Sequence, residues 1–356
     1  MQLKDIEHIK NTPFFFIIGR SRSGTTMLRS MFDAHPNVII PFESFHIFLF
    51  RRKYRSVKYW SKDKLLTFYT DLFNSNWKFH SWQLDKDALK EDLLKCEGKN
   101  DYETICKVVH SNYISVFEKE GIHIIGDKTP KNAVKLNIIS EMFPDAKYIH
   151  IIRDYRDQLY SMLQVNFLDS IVPEILYQWK YSARMAVRYK KQHPDKMISI
   201  RYEDLVNNPA KGFSELCAFL GLSFHESCLN YYEKENEIKA QINNEKFNSV
   251  QPRLFNPIDN SRVNSWKGNL SDPVLQMADL ITGKTGEYFS YPRIIQKRKL
   301  RLYIMVFLRL SVIRFYYLYR FMVHLLPYKV RIKIKNRIPA LDKVYYFLFP
   351  KDRIKL

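Results

Sequence analysis

FIIGRSRSGTTMLRSMFDAHP, residues Phe16 to Pro36, is the stretch whose reading decides the fold. Phe15, Phe16, Ile17 and Ile18 form a continuous apolar run of the kind a strand buried on both faces needs. The run ends at Gly19, and Gly24 follows five residues later. Thr25, Thr26, Met27, Leu28, Met31 and Phe32 then continue with helical periodicity. Strand, glycine-bounded loop and helix together point backbone N–H groups and a helix N-terminus at an anion. Gly24 lets a phosphate approach the backbone, and the Thr25 and Thr26 hydroxyls can donate to its oxygens.

The loop nearly matches GxxxxGK[ST], but Thr25 stands where that pattern has its lysine. Arg20 and Arg22, with Ser21 and Ser23 between and beyond them, supply cationic and hydroxyl groups from inside the loop. A P-loop nucleotide kinase, the remaining alternative of that type, would need the lysine and an acidic magnesium site. The run Arg22 to Thr26, RSGTT, resembles the 5′-phosphosulfate loop of the sulfotransferases that use 3′-phosphoadenosine-5′-phosphosulfate (PAPS). DAHP, Asp33 to Pro36, also closes the loop helix in many of them.

Further matches to that family follow along the chain. Glu43 stands about twenty residues past the loop, where the glycan and tyrosylprotein branches keep the carboxylate that deprotonates the acceptor. His46 is the competing base, because the small-molecule members use a histidine. IHIIGDKTPKN, Ile122 to Asn132, reads as a strand, a polar turn and a helix start at Pro130. Lys128 then falls just past the strand's C-terminal edge, where open α/β sheets place ligands. The resemblance implies that it faces the transferred group.

AKYIHIIRDYRDQLYSML, Ala146 to Leu163, reads as strand, turn and helix. It is similar to the family's 3′-phosphate motif, in which an arginine ends the strand and a serine follows eight residues later. Arg153 and Ser161 keep that spacing, with Arg156 expected to add charge at the rim. A guanidinium fork holds a phosphate bidentately and a hydroxyl completes its shell. Phosphate sites at two strand ends would distinguish PAPS from ATP.

MISIRYEDL supplies a further strand, and the resemblance places Tyr202 near the adenine. Residues 236–260 read as a polar loop. SRVNSWKGNLS, Ser261 to Ser271, resembles the element that folds over the donor, making Arg262 and Lys267 candidate phosphate ligands.

The expected fold is α/β, a P-loop-like parallel sheet flanked by helices, in a sulfotransferase domain spanning 1–292. Residues 45–120 are rich in Phe, Tyr and Trp, with almost no Gly or Pro, and read as a helical insertion. Many of these aromatics suit an ordinary core; the others would wall an apolar acceptor pocket.

The chain's 356 residues carry a net charge of +20, unevenly distributed. From Arg293 to Leu356 there are 17 Lys/Arg against two Asp, a net of +15, leaving +5 for the body. This basic tail, 293–356, contains the apolar stretch Leu300 to Leu326, interrupted by Arg301, Arg309, Arg314, Arg320 and His324. On a helical projection all of these except Arg314 share one arc, which predicts an amphipathic helix lying on an anionic membrane surface or docked on the body. No uninterrupted apolar run reaches the ~18 residues of a spanning helix.

Four cysteines without metal spacing and an N-terminus without an apolar segment suit a reducing, cytoplasmic setting, peripheral on the membrane's inner face. The implied reaction moves the sulfuryl group of PAPS to an acceptor hydroxyl, releasing adenosine 3′,5′-bisphosphate (PAP), with no metal required. Glu43, Lys128 and Arg22 would carry the chemistry. A lipophilic alcohol, sterol or lipid, is the expected acceptor, and a carbohydrate is the alternative. Nucleic acid is not an expected partner, since it accounts for the tail but not for the ligand-site spacings in the body.

Overall fold

The computed structural model describes residues 5–75, 79, 82–164, 171–242, 252–294, 300–326 and 341–350. The chain divides into two compact units, one of residues 1–152 and 185–260, the other of residues 153–184 and 261–356.

The first unit contains a five-stranded parallel sheet in the order β2-β3-β1-β4-β5. Strand β1 (Phe14–Gly19) is buried at all six positions, as its unbroken apolar run requires. Phe16 stacks on Tyr148 at 5.5 Å between ring centroids, and Phe14 meets Phe143 at 4.8 Å. Each such buried ring contributes about 1.5–3 kcal/mol. The loop that follows leads into α1 (Thr25–Asp33), which buries Leu28, Met31 and Phe32. The two-residue β2 (Val38–Ile39) pairs with β3 (Ile124–Lys128), which pairs in turn with β1. On the other side of β1 lie β4 (Lys147–Ile152) and β5 (Met197–Arg201). The chain therefore leaves β1 at the point where later strands add to opposite sides, and in parallel sheets ligands bind at the carboxyl ends of strands at such a point.

Between β2 and β3 the insertion is helical, as its composition predicts, with helices at His46–Leu49, Arg51–Tyr54, Lys62–Ser75, Lys86–Leu94 and Tyr102–Ser111. Most of its aromatics form a core of its own. Trp60 lies 5.6 Å from Tyr54 and 5.8 Å from Phe68, and all three are buried. Leu49 and Tyr59 are exposed. Trp77 lies outside the described residues.

One local expectation changes. The polar stretch after residue 235 begins with a helix, Glu235–Ile242, although residues 243–251 lie outside the described set. A short helix, Ile6–Asn11, precedes β1, capped by the Asp5 carboxylate accepting from the Glu7 amide.

The second unit contains α2 (Tyr155–Leu163), the first part of α3 (Val172–Gln192) and the long α4 (Leu300–Leu325). Ile313 of α4 is fully buried with Ile171 and Tyr345, and Tyr317 donates to Glu174 at 2.7 Å. The stretch Leu300–Val323 has a mean hydropathy of 1.4 and is long and apolar enough to cross a membrane by length and composition.

The arc of basic residues on α4 is not a uniformly exposed face. Arg309 is only 7% exposed, with its guanidinium over the Phe349 ring, whereas Phe307, Phe315 and Leu318 are 64%, 70% and 54% exposed. The side on which Arg309 sits is turned inward, and the opposite side presents Leu300, Ile304, Phe307, Leu308, Phe315 and Leu318 to the outside. The Arg320 and His324 side chains, and the basic run at 327–337, lie outside the described set.

Candidate active site

In the first unit the loop after β1 is shaped by two left-handed residues. Gly24 has φ 86° and stands at the N-cap of α1, where it has no side chain of its own to bond the first-turn amides. An added Cβ at Gly24 would stand 2.6 Å from the Tyr202 ring, which explains why a glycine is required there. Arg22 is also left-handed, at φ 70°, a conformation that costs a non-glycine residue about 1–2 kcal/mol. Successive N–H groups in this arrangement form an anion-binding concavity.

Ser23 Oγ is buried without a hydrogen-bond partner among the described residues. A buried, unsatisfied hydroxyl at a glycine-capped helix N-terminus fits an oxyanion ligand. Arg20, Ser21 and Arg22 are half-buried around it, and the Thr25 and Thr26 side chains are buried behind. These features fit the phosphosulfate end of a PAPS molecule.

Lys128 is the last residue of β3 and is 1% exposed. Its Nζ lies 3.4 Å from Thr26 Oγ1 and 3.6 Å from Glu43 Oε1. A carboxylate 27% exposed, a buried ammonium and the phosphate loop are thus brought together by three separate segments.

His46 is in a different environment. It is 2% exposed, packed between Trp82 and His110, and burial and the neighbouring His110 push its imidazole well below its ordinary pKa. The Glu43 side chain, unlike that of His46, is partly exposed. His35 is structural: Nε2 donates to Ser223 O at 2.9 Å, and Nδ1 accepts from the Asn37 amide. Tyr202, predicted beside the adenine, has its ring against Gly24.

The first unit also contains a buried polar cluster that sequence reasoning missed. Asp127 accepts from Ser44 Oγ and, at 3.2 Å, from Asn132 Nδ2, and His110 Nε2 lies 3.6 Å away. In the sequence, Asp127 was only the acidic letter before a candidate lysine.

In the second unit, Arg153 is the residue after β4, and one of its Nη atoms donates to Arg262 O at 2.7 Å. Ser161 is half-buried on α2. The Ser261–Ser271 segment is fixed to the start of α2 by Asp157, another residue that the sequence reading passed over. Its carboxylate accepts from the Asn264 and Trp266 amides and from Ser265 Oγ, each at 2.9 Å. Burial pushes the Asp157 carboxyl above its ordinary pKa, while Arg153 and these donors hold it down.

Arg262 is half-buried on this segment and Lys267 is exposed. Arg156 does not supply charge at a rim. It is 4% exposed, bound to Asp154 at 2.6 Å and 2.8 Å, and lies over the Trp266 ring. Asp154, two residues before it, takes the guanidinium, while the adjacent Asp157 is engaged by the 264–266 segment. Among the described residues no group of three or more His, Cys, Asp or Glu is placed to hold a metal.

Comparison with known proteins identifies the family and the fold. The chain is 23% identical over 268 residues to protein-tyrosine sulfotransferase 1 of Danio rerio, covering 73% of this chain and 67% of that protein. It is 23% identical over 281 residues to protein-tyrosine sulfotransferase 1 of Homo sapiens, covering 77% and 68% respectively. The sulfotransferase domain of the Synechococcus PCC 7002 olefin synthase shares the fold at a TM-score of 0.52, with 21% identity over 79% of this chain and 96% of that domain. Residues 13–226, the span from β1 past β5, match the sulfotransferase family model. Because that match spans more than half of the chain, and the parallel sheet agrees with it, this chain belongs to the sulfotransferase family.

Proposed function

We propose that this enzyme moves the sulfuryl group of PAPS to the hydroxyl of a lipophilic alcohol presented at a membrane surface. The observation that carries the chemistry is the 3.6 Å approach of Lys128 Nζ to Glu43 Oε1, with Thr26 of the loop 3.4 Å from the same ammonium. Glu43 takes the acceptor's proton as the new oxygen–sulfur bond forms. Lys128 stabilises charge on the sulfuryl oxygens. As the bond to the 5′-phosphate breaks, Arg22, Ser23 and the loop N–H groups neutralise the leaving oxygen, and PAP departs. Arg153 and Ser161 would take the 3′-phosphate, Tyr202 the adenine, and Arg262 and Lys267 the outer phosphate oxygens. Charge is spread over several oxygens in such a transfer, so positioning and electrostatics carry most of the rate.

The acceptor reading rests on the tail. Its outward apolar side, with Phe307, Phe315 and Leu318 exposed, would enter a membrane surface, and its Lys/Arg residues, the buried Arg309 aside, would be drawn to anionic lipid at about 1 kcal/mol each near the surface. The inward side is already engaged with Ile171 and Tyr345, which favours a helix lying in the interface over one surrounded by lipid. A cytoplasmic leaflet is the surface such a basic segment suits.

The names of the relatives favour a second reading, in which the acceptor is a tyrosyl hydroxyl. A glycan is the third acceptor class. Sulfur-labelled PAPS incubated with phosphatidylglycerol vesicles containing cholesterol, with a tyrosine-containing acidic peptide, or with a soluble polysaccharide separates the three. Label in the lipid fraction alone supports the proposal, and label in the peptide or the polysaccharide overturns it.

A further inference from the structure

We infer that Asp127 is a positioning residue that sets Glu43 against Lys128 through Ser44. The inference rests on the reading that Glu43 and Lys128 carry the transfer. Asp127 and Lys128 are adjacent at the end of β3, where successive side chains leave opposite faces of a strand. Glu43 and Ser44 are adjacent on the facing segment. Lys128 meets Glu43 while Asp127 meets Ser44, so the two segments are joined by a doubled contact.

Ser44 is held at two points. Its hydroxyl donates to Asp127 Oδ2, and its carbonyl accepts from Thr129 Oγ1 at 2.8 Å. Asn132 Nδ2 fixes the other carboxylate oxygen at 3.2 Å. Shifting the Glu43 segment by one residue along β3 would break both Ser44 bonds and move the catalytic carboxylate away from the ammonium.

The position is not one that stability alone would give to a carboxylate. Asp127 is fully buried, with His110 Nε2 at 3.6 Å. Buried charge is costly to desolvate, and apolar residues of similar volume often replace such groups without loss. What the carboxylate adds is register: two acceptor oxygens that accept only from donors on defined neighbours.

The test is a double-mutant cycle on PAP formation from PAPS with water as acceptor, a reaction that needs no identified acceptor and uses the same base. Asp127→Asn alone lowers turnover by roughly 30–100-fold, the scale of a misplaced catalytic group. PAP stabilises this variant against heat as it does the parent. In the Glu43→Ala background the same substitution costs less than about threefold, because the group being positioned is already gone. Ser44→Ala, which removes only the hydroxyl, runs the same cycle if Asp127→Asn does not fold.

Equal losses in the two backgrounds, or unchanged turnover in Asp127→Asn, overturn the positioning role and leave the Glu43 assignment standing. Full turnover in Glu43→Ala overturns the assignment of the base and the positioning role together.

Discussion

The loop between β1 and α1 and the outer helix α4 were both read from side-chain pattern, and the two are shaped by residues at different distances along the chain. The loop's geometry is set by residues within itself. Gly24 and Arg22 adopt left-handed conformations, Ser23 N bonds back to Arg20 O at 3.2 Å, and the helix starts where the threonines begin. Helix α4 also forms where its apolar content predicts, but which side it turns outward depends on residues far away in the chain, Ile171 and Tyr345 among them. A local constraint can be read from a local sequence. A helix face is chosen by its partner.

The sharpest test of the first half is Gly24→Ala. The new methyl would be held at positive φ and within 2.6 Å of the Tyr202 ring, so the loop must move. We expect donor affinity to fall at least 100-fold, measured as loss of thermal stabilisation by PAP, with the fold weakened by about 2–3 kcal/mol. Unchanged PAP binding would mean that the loop is not shaped from within.

The same contrast sets how much of the molecule was legible. Strands β1, β3, β4 and β5 were marked by short apolar runs ending in glycine or charge, and the helical insertion by its lack of breakers. Strand order was not legible, because pairing is decided by crossovers. Within the site, Glu43 and Lys128 were visible as residues at familiar spacings, but not the Asp127–Ser44 bond behind them, which joins positions 83 apart in the chain. Asp157 was hidden similarly, since its three donors lie more than a hundred residues later.

Acid sharpens the contrast next. His150 of β4 is 1% exposed, and burial with the nearby Lys190 lowers its pKa to about 4. Between pH 6.5 and 4 the unfolded chain binds a proton there that the native sheet does not. Stability therefore falls as pH drops through this window, by roughly 2 kcal/mol at pH 5 relative to pH 7. His150→Gln should remove that residue's share of the slope in urea titrations at the two pH values, leaving the share that buried His46 adds in the same direction.

The second half is tested at the exposed side of α4. Replacing Phe307 and Phe315, 64% and 70% exposed, with serine should lower partition onto phosphatidylglycerol vesicles by at least tenfold in a sedimentation assay. Undiminished partition would return the membrane role to the basic residues alone.

The smallest effect discriminates best between the two orientations of the helix. Arg309 and Arg301 share an arc on a helical projection, which predicts equal roles for them at a lipid surface. In the folded chain Arg301 is exposed, whereas Arg309 is buried over the Phe349 ring. A charge near an anionic surface is worth about 1 kcal/mol, so Arg301→Met should weaken vesicle binding about fivefold. Arg309→Met, of similar volume and on the inward side, should change it less than twofold and alter stability by less than about 1.5 kcal/mol. Equal losses from the two substitutions would mean that the arginine side faces lipid, and the pattern read from sequence would then describe α4 as well as it describes the loop.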